Sequence, residues 1–174
     1  LGLSYDLAPG ARPASALALS DDLFVVSSFS KYFNMTGWRL GWLVAPERHV
    51  RDLEKLAQNL YISPPALSQR AALACFEPAT IALLETRREA FRERRDLLVP
   101  ALRELGFGVP VMPTGGFFVY ADVSRFATDG VAFCRDVLER VGVAITPGVD
   151  FGTHRADRHV RFAYTIARGK IEDG

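Results

Sequence analysis

Two short apolar runs, residues 23–27 (LFVVS) and 40–45 (LGWLVA), set the first constraint on the fold. Each run is continuous rather than alternating. Such runs predict strands buried on both faces, as in the parallel sheet of an α/β protein. Between them, residues 28–37 are polar and turn-like, with aromatic side chains inserted. Apolar residues then recur at helical spacing, at Val50, Leu53, Leu56, Ala57 and Leu60, which predicts a helix over 47–60 after Pro46. Pro64 and Pro65 interrupt, and a second helix is predicted over 66–76.

The longest helical pattern covers residues 80–105, with Gly106 as its stop. Its middle, RREAFRERRD, interleaves Arg87, Arg88, Arg92, Arg94 and Arg95 with Glu85, Glu89, Glu93 and Asp96 nearby. That mixture reads as a solvated helix face with neighbouring ion pairs, not a basic stripe for nucleic acid. The whole chain agrees: 21 Lys and Arg stand against 20 Asp and Glu, a net charge of +1. Neither a polyanion nor an anionic membrane surface is an expected partner. Further along, the pattern predicts a strand over 116–123, a helix over 130–141, strands over 143–146 and 160–165, and a helix beginning after 166. Residues 1–20 read as irregular, with Pro9, Gly10 and Pro13 close together. Strands and helices alternate without internal repeat, so the class is α/β or α+β.

Several function classes drop out. With 49% hydrophobic and 24% charged residues, the 174-residue chain has the composition of a folded protein able to bury one core or two small ones. The uncharged run over 105–121 is punctuated by Gly106, Gly108, Pro110, Pro113, Gly115 and Gly116, which excludes a membrane span there. The first twenty residues have no basic region leading into an apolar run, so no secretory signal is read and a cytoplasmic location is expected. Cys75 and Cys134 lie in no ligand spacing and are expected as reduced core thiols. His49, His154 and His159 likewise have no metal-ligand spacing, and no metal is expected.

Chemistry concentrates in residues 27–42, SSFSKYFNMTGWRLGW. A strand ends there in a loop holding Ser28, Ser30, Lys31 and Thr36, with Arg39 eight positions after Lys31. Ligands gather where strands of open α/β sheets end in loops. Hydroxyls beside a Lys and an Arg make an anion site: Arg offers a fork of donors, Lys a point charge or a nucleophilic amine. A Lys ringed by Phe29, Tyr32, Phe33 and Trp38 would be partly desolvated, which frees its lone pair. The residues alone leave another reading open, a surface loop with a snorkelling Lys and a structural Arg. Trp38 and Trp42 read as packing residues.

SFSKYFNMTGWRLGW resembles the cofactor-lysine segment of the class I/II aminotransferases, pyridoxal-phosphate enzymes of fold type I. The Ser-x-x-Lys element and the Arg eight residues after the Lys fall in register as Ser28, Lys31 and Arg39. The resemblance continues through QNLYISPPALSQRAAL, PTGGFFVYADV, VAITPGVDFG and VRFAYT, in the family's order. It implies a partial fold type I architecture: residues 1–79 as the end of a large mixed-sheet cofactor domain, and 80–174 as a small α+β domain led by the long helix. It implies pyridoxal 5'-phosphate as cofactor. Lys31 would bond the cofactor aldehyde and then move a proton at the substrate alpha carbon. Ser28 and Arg39 would hold the phosphate, with Ser30 either assisting or capping the loop. Arg161 would grip the substrate alpha-carboxylate.

The same resemblance implies an L-amino acid and a 2-oxo acid as substrates and a homodimeric enzyme, with Asn59 a candidate to approach a neighbouring subunit's site. A carbon–sulfur lyase, a cyclopropane-forming synthase and a non-catalytic module retaining the fold are the alternatives. The family's ring-nitrogen acid and ring-oxygen tyrosine would precede Leu1, and Tyr5 is not expected to be that tyrosine. The chain is therefore expected to be the C-terminal half of a longer enzyme, clipped at both ends and inactive alone.

Overall fold

The computed structural model describes residues 2–7, 11 and 13–174. Pro9 and Gly10, in the stretch read as irregular, lie outside the described residues. The chain divides into two compact units, residues 1–88 and 89–174, with the division inside one long helix.

In the first unit, strand β1 (Val25–Ser28) pairs antiparallel with β2 (Gly41–Val44), in register from Val25 opposite Val44 to Ser28 opposite Gly41. Helix α1 (Glu47–Leu60) follows Pro46, and α2 (Ala66–Ala74) follows Pro65, as the proline punctuation predicts. The expectation of strands buried on both faces in a parallel setting is corrected. The pair is antiparallel, β2 is exposed along its whole length, and Val26 is 81% exposed. A continuous apolar run reports what a strand is able to bury; which way its neighbour runs, and what covers it, is not local information. The apolar stripe of α1 is covered only in part, at Leu53 and Ala57.

The core of this unit lies elsewhere. Phe29, Tyr32, Phe33 and Met35 turn inward from the loop after β1 and pack with Ala72 and Cys75 at the end of α2 and with Leu84. The rings meet at 4.9 Å for Phe29 and Phe33, 5.1 Å for Phe29 and Trp42, and 5.6 Å for Phe33 and Phe76. These tilted and edge-on pairings are the favoured aromatic geometries.

Helix α3 (Pro78–Leu105) ends at Gly106, whose φ of 103° lets the Phe107 N–H reach back to Leu102 O at 2.9 Å. Ion pairs line its surface, Arg88 to Glu85 at 2.8 Å and Arg92 to Asp96 at 3.5 Å among them. Arg95 departs from the solvated-face reading. It is buried, paired to Asp96 at 2.7 Å, and its Nη1 donates to Pro113 O at 2.7 Å. The alternation of charges hides this, because a single helical position can face a loop that the pattern does not locate.

In the second unit, β3 (Phe118–Asp122), helix α4 (Gly130–Val141), β4 (Thr146–Pro147) and β5 (His159–Ala163) follow in chain order, then α5 (Arg168–Asp173). The sheet is antiparallel with β5 between β3 and β4. Asp129 caps α4 by accepting from the N–H groups of Val131 and Ala132 at 2.8 and 3.1 Å. The strand expected over 143–146 is reduced to the pair Thr146–Pro147, since pairing with β5 begins only opposite Arg161. The two-residue alternation of β3 and β5 divides the sheet into faces. Val119, Ala121, Val160 and Phe162 face the core with Val99, Leu102 and Tyr164. Phe118, Tyr120, Asp122, His159 and Arg161 share the opposite face.

Replacing Arg95 with Met removes the donor to Pro113 O and one partner of Asp96. The expected loss is about 2 kcal/mol of unfolding free energy, read from the urea midpoint at unchanged slope.

Candidate active site

Residues 29–40 close between paired strand ends, and their backbone bonds fix the loop's shape. The Phe29 N–H donates to Leu40 O at 3.1 Å, Met35 N–H to Phe29 O at 3.1 Å, and Asn34 N–H to Lys31 O at 3.0 Å. Thr36 begins a 3-10 turn (Thr36–Trp38) and donates its hydroxyl to Ser30 O at 2.7 Å. From α2, the buried Ser68 hydroxyl donates to Trp38 O at 2.7 Å. Gly41 is required at the hairpin mouth: a Cβ there would lie 2.6 Å from Ser27 O.

This frame collects Ser28, Ser30, Lys31 and Arg39 on one loop. The Ser28 hydroxyl donates to Ser30 Oγ at 2.9 Å and accepts the Ser30 N–H at 3.0 Å. The loop-capping role raised for Ser30 therefore belongs to Ser28. Arg39 is exposed and holds a left-handed backbone, φ 49° and ψ 51°, at a cost of about 1 kcal/mol for a residue with a Cβ. Its Nη1 donates to Thr36 O at 3.0 Å. Lys31 is exposed. The expectation of a lysine ringed by aromatics is corrected: Phe29, Tyr32 and Phe33 turn into the core, and Trp38 is itself exposed. The inward aromatics anchor the loop and leave its polar residues outward.

Tyr32, next to Lys31, extends that anchoring by a polar route. Its hydroxyl donates to Glu85 Oε1 at 2.5 Å. Glu85 also accepts from Arg88 Nε at 2.8 Å, and Arg88 Nη1 donates to Ser4 O at 2.9 Å. Burial, then the bond to Glu85 and its charge, push the Tyr32 hydroxyl above the ordinary tyrosine range. Burial works against the ionised Glu85, but the hydrogen bonds from Tyr32 and Arg88 outweigh it and hold the carboxyl below its usual range. Sequence reasoning placed Glu85 and Arg88 on a solvated face and did not pair them with Tyr32; nothing local to either segment signals the contact.

In the second unit, Arg161 projects from the centre of β5. Its Cζ lies 4.0 Å from the ring centre of Phe118 and 4.3 Å from that of Phe151. Thr146 Oγ1 is 3.4 Å from Nη2, and the buried Nε has no hydrogen-bond partner among the described residues. Neighbouring on the same face, His159 stacks on Tyr120 at 4.8 Å, and its Nδ1 is 2.8 Å from Arg155 O. Asp122 is held below the usual carboxylate range by Ser124 first, then by His159 and Arg155 against the effect of burial.

Other residues considered have ordinary settings. Cys75 and Cys134 are buried free thiols, raised by burial. His49 stands by Phe24 at 5.3 Å, and Asn59 donates to Lys55 O at 2.7 Å. Tyr5 is buried. Among the described residues no cluster of His, Cys, Asp or Glu could hold a metal, and no helix is long and apolar enough to cross a membrane.

The mixed α/β architecture with this lysine hairpin is that of a fold type I pyridoxal-phosphate enzyme, in part. The family model for aminotransferase class I and II matches residues 5–173, and the chain belongs to that family. It is 42% identical over 172 residues to the valine–pyruvate aminotransferase of Mycobacterium tuberculosis, covering 99% of this chain and 44% of that protein. It is 36% identical to an arginine–pyruvate transaminase of Pseudomonas aeruginosa, covering 92% of this chain and 40% of that protein. A crystal structure of an aminotransferase from M. tuberculosis superposes with a TM-score of 0.89 at 43% identity, covering 95% of this chain and 43% of that one. A Thermus thermophilus aspartate aminotransferase variant gives 0.87 at 33% identity, covering 98% and 45%. The chain thus spans less than half the length of these relatives.

Two outcomes test the frame. Gly41→Ala must displace the β1 backbone and is expected to cost about 1–3 kcal/mol, seen as a lowered melting temperature. Glu85 ionises in the folded state below its ordinary value near 4.3. Its contribution is complete above that pH and is lost as pH falls through the folded-state value. Glu85→Gln should therefore flatten the acid limb of the stability curve below about pH 4.3 in denaturant titrations at stepped pH.

Proposed function

We propose that the full-length protein is a pyridoxal-phosphate-dependent aminotransferase that moves an amino group between an L-amino acid and a 2-oxo acid. The observation that carries this reading is the hairpin loop: Ser28, Ser30, Lys31 and Arg39 share one frame, and no acidic residue occurs between Ser27 and Trp42. A site of hydroxyls, an amine and a guanidinium, free of carboxylates, fits a phosphate dianion beside an aldehyde. Membership of the family supports the same cofactor.

In this reading Ser28 and Arg39 hold the phosphate, and Ser30 adds a hydroxyl. Arg39 contributes N–H donors beyond the one committed to Thr36. Its left-handed backbone is a local cost retained where it serves binding. Bound pyridoxal phosphate supplies the electron sink that makes loss of the substrate alpha proton feasible. Lys31 Nζ would hold the cofactor through its aldehyde and, once freed by substrate, would move a proton between the substrate alpha carbon and the cofactor's C4′ carbon. Arg161 pairs with the substrate carboxylate through two parallel N–H groups, which orients the alpha C–H bond.

We assign residues 1–79 to the end of the large cofactor domain and 80–174 to the small domain. A cytoplasmic homodimer is part of the proposal. The exposed Leu60, Tyr61, Ile62 and Leu67, on either side of the α1–α2 junction, support an interface there.

The test uses the full-length protein mixed with an amino acid and 2-oxoglutarate. Glutamate formation is expected. Borohydride should fix the cofactor on Lys31, and Lys31→Ala should lower turnover by a factor of about 10²–10⁴ or more. Release of pyruvate and ammonia without glutamate would assign a lyase instead.

A further inference from the structure

Arg161 is held in an unusual way. Most half-buried arginines are fixed by carboxylates, but no ion pair to Arg161 occurs among the described residues. Its one hydrogen bond among the described residues, to Thr146 Oγ1, is long at 3.4 Å. Its Cζ lies over two ring faces instead, 4.0 Å from the centre of Phe118 and 4.3 Å from that of Phe151.

The backbone builds this arrangement. Phe118 is the diagonal neighbour of Arg161 across the β3–β5 pair, since Tyr120 lies directly opposite it. Phe151 comes from the turn after β4, where Gly148–Asp150 forms a 3-10 turn. That turn lies tightly against the sheet: a Cβ on Gly148 would be 2.5 Å from Ala156 O, 2.5 Å from the Tyr120 hydroxyl oxygen and 2.8 Å from His159 O. Only glycine permits the approach that brings Phe151 over the guanidinium. Phe151 remains 48% exposed, so part of its ring is accessible from solvent.

We propose that Phe118 and Phe151 are positioning residues forming the walls of a slot, and that the slot makes Arg161 select planar carboxylates over tetrahedral anions. This rests on the reading of Arg161 as the substrate-carboxylate ligand. In such a slot the two rings cover the faces of the guanidinium, and a ligand reaches it only in its own plane. A carboxylate is planar and matches two parallel N–H groups there. A phosphonate carries oxygens out of that plane, and these meet the ring walls. The rings also hold the cation without neutralising it, because the attraction of a ring face leaves the N–H donors uncommitted.

The test uses the full-length protein with its cofactor in the aldehyde form, so that a 2-oxo acid binds without turnover. Equilibrium binding of pyruvate and of methyl acetylphosphonate, a singly charged tetrahedral analogue, is measured by calorimetry. The unaltered protein is expected to prefer pyruvate. Phe151→Leu and Phe118→Leu should each weaken pyruvate about tenfold and narrow the preference, and Phe151→Tyr should restore both. A purely structural role would change the melting temperature and leave the preference unmoved. If Arg161→Met abolishes pyruvate binding while the Leu variants keep affinity and preference, the slot is wrong and the carboxylate reading stands. If Arg161→Met binds pyruvate normally, the carboxylate reading itself fails. Phe151 is half exposed and outside the core, so Phe151→Leu decides the question even if Phe118→Leu does not fold.

Discussion

The pairing of Ser28 with Gly41 closes the segment on which the candidate cofactor chemistry depends. Between those residues lies a loop with backbone bonds of its own and one 3-10 turn. Its placement comes from below and from its mouth. Below, Phe29, Tyr32, Phe33 and Met35 are buried, and their burial outweighs the entropy of ordering the backbone around them. At the mouth, the absence of a Cβ on Gly41 lets the two strands approach. Lys31, Ser30 and Arg39 are then placed by residues that do not take part in the chemistry. The segment thus divides its labour along the chain: aromatic positions hold, and the polar positions interleaved with them lie outside the core.

The second unit reaches the same division by the pleat of a sheet. Successive residues of β3 and β5 alternate between a dry face and an open one. Val119, Ala121 and Val160 are fully buried, so the strands cannot slip by one residue without exposing all of them. That register fixes Arg161 opposite Tyr120 and diagonal to Phe118. The core therefore specifies which side chains surround the guanidinium, although none of the core residues touches it.

Much of this was legible in the sequence, unevenly and for identifiable reasons. Helix α1 spans the predicted 47–60 because its apolar spacing and the proline at its entrance carry local information. Helix α4 spans 130–141 for similar reasons, with Asp129 as its cap. The lysine loop was found because its residue types are dense and their spacing is specific. The direction of β1 against β2 was not legible, since apolar runs do not encode the sense of a partner strand. Arg95 and Glu85 were read as solvent-facing because charge alternation describes a helix surface only until some other segment covers it. The stacking of Phe151 on Arg161 joins a turn to a strand, and no periodicity reports such a contact.

Apart from the strand sense, these misses share a physical character that bears on function. Each involves a charged or polar group stabilised by a partner distant in sequence: Tyr32 by Glu85, Arg95 by Pro113, Arg161 by Phe118 and Phe151. Buried apolar residues need only be apolar and of suitable size, and many sequences satisfy that requirement. A buried polar group needs a particular partner at a particular distance, because leaving it unpaired is costly. Arg161 is the exception among them. Its ring partners supply no acceptor, Nη2 has only the long bond to Thr146, and Nε is left without an acceptor among the described residues. Arg95 is buried and satisfied by hydrogen bonds, whereas half-buried Arg161 has two ring contacts and one long bond to Thr146 among the described residues; under the proposed function its remaining donors serve a ligand. The contrast between the two arginines is the physical ground for reading Arg161 as a binding residue and Arg95 as a structural one.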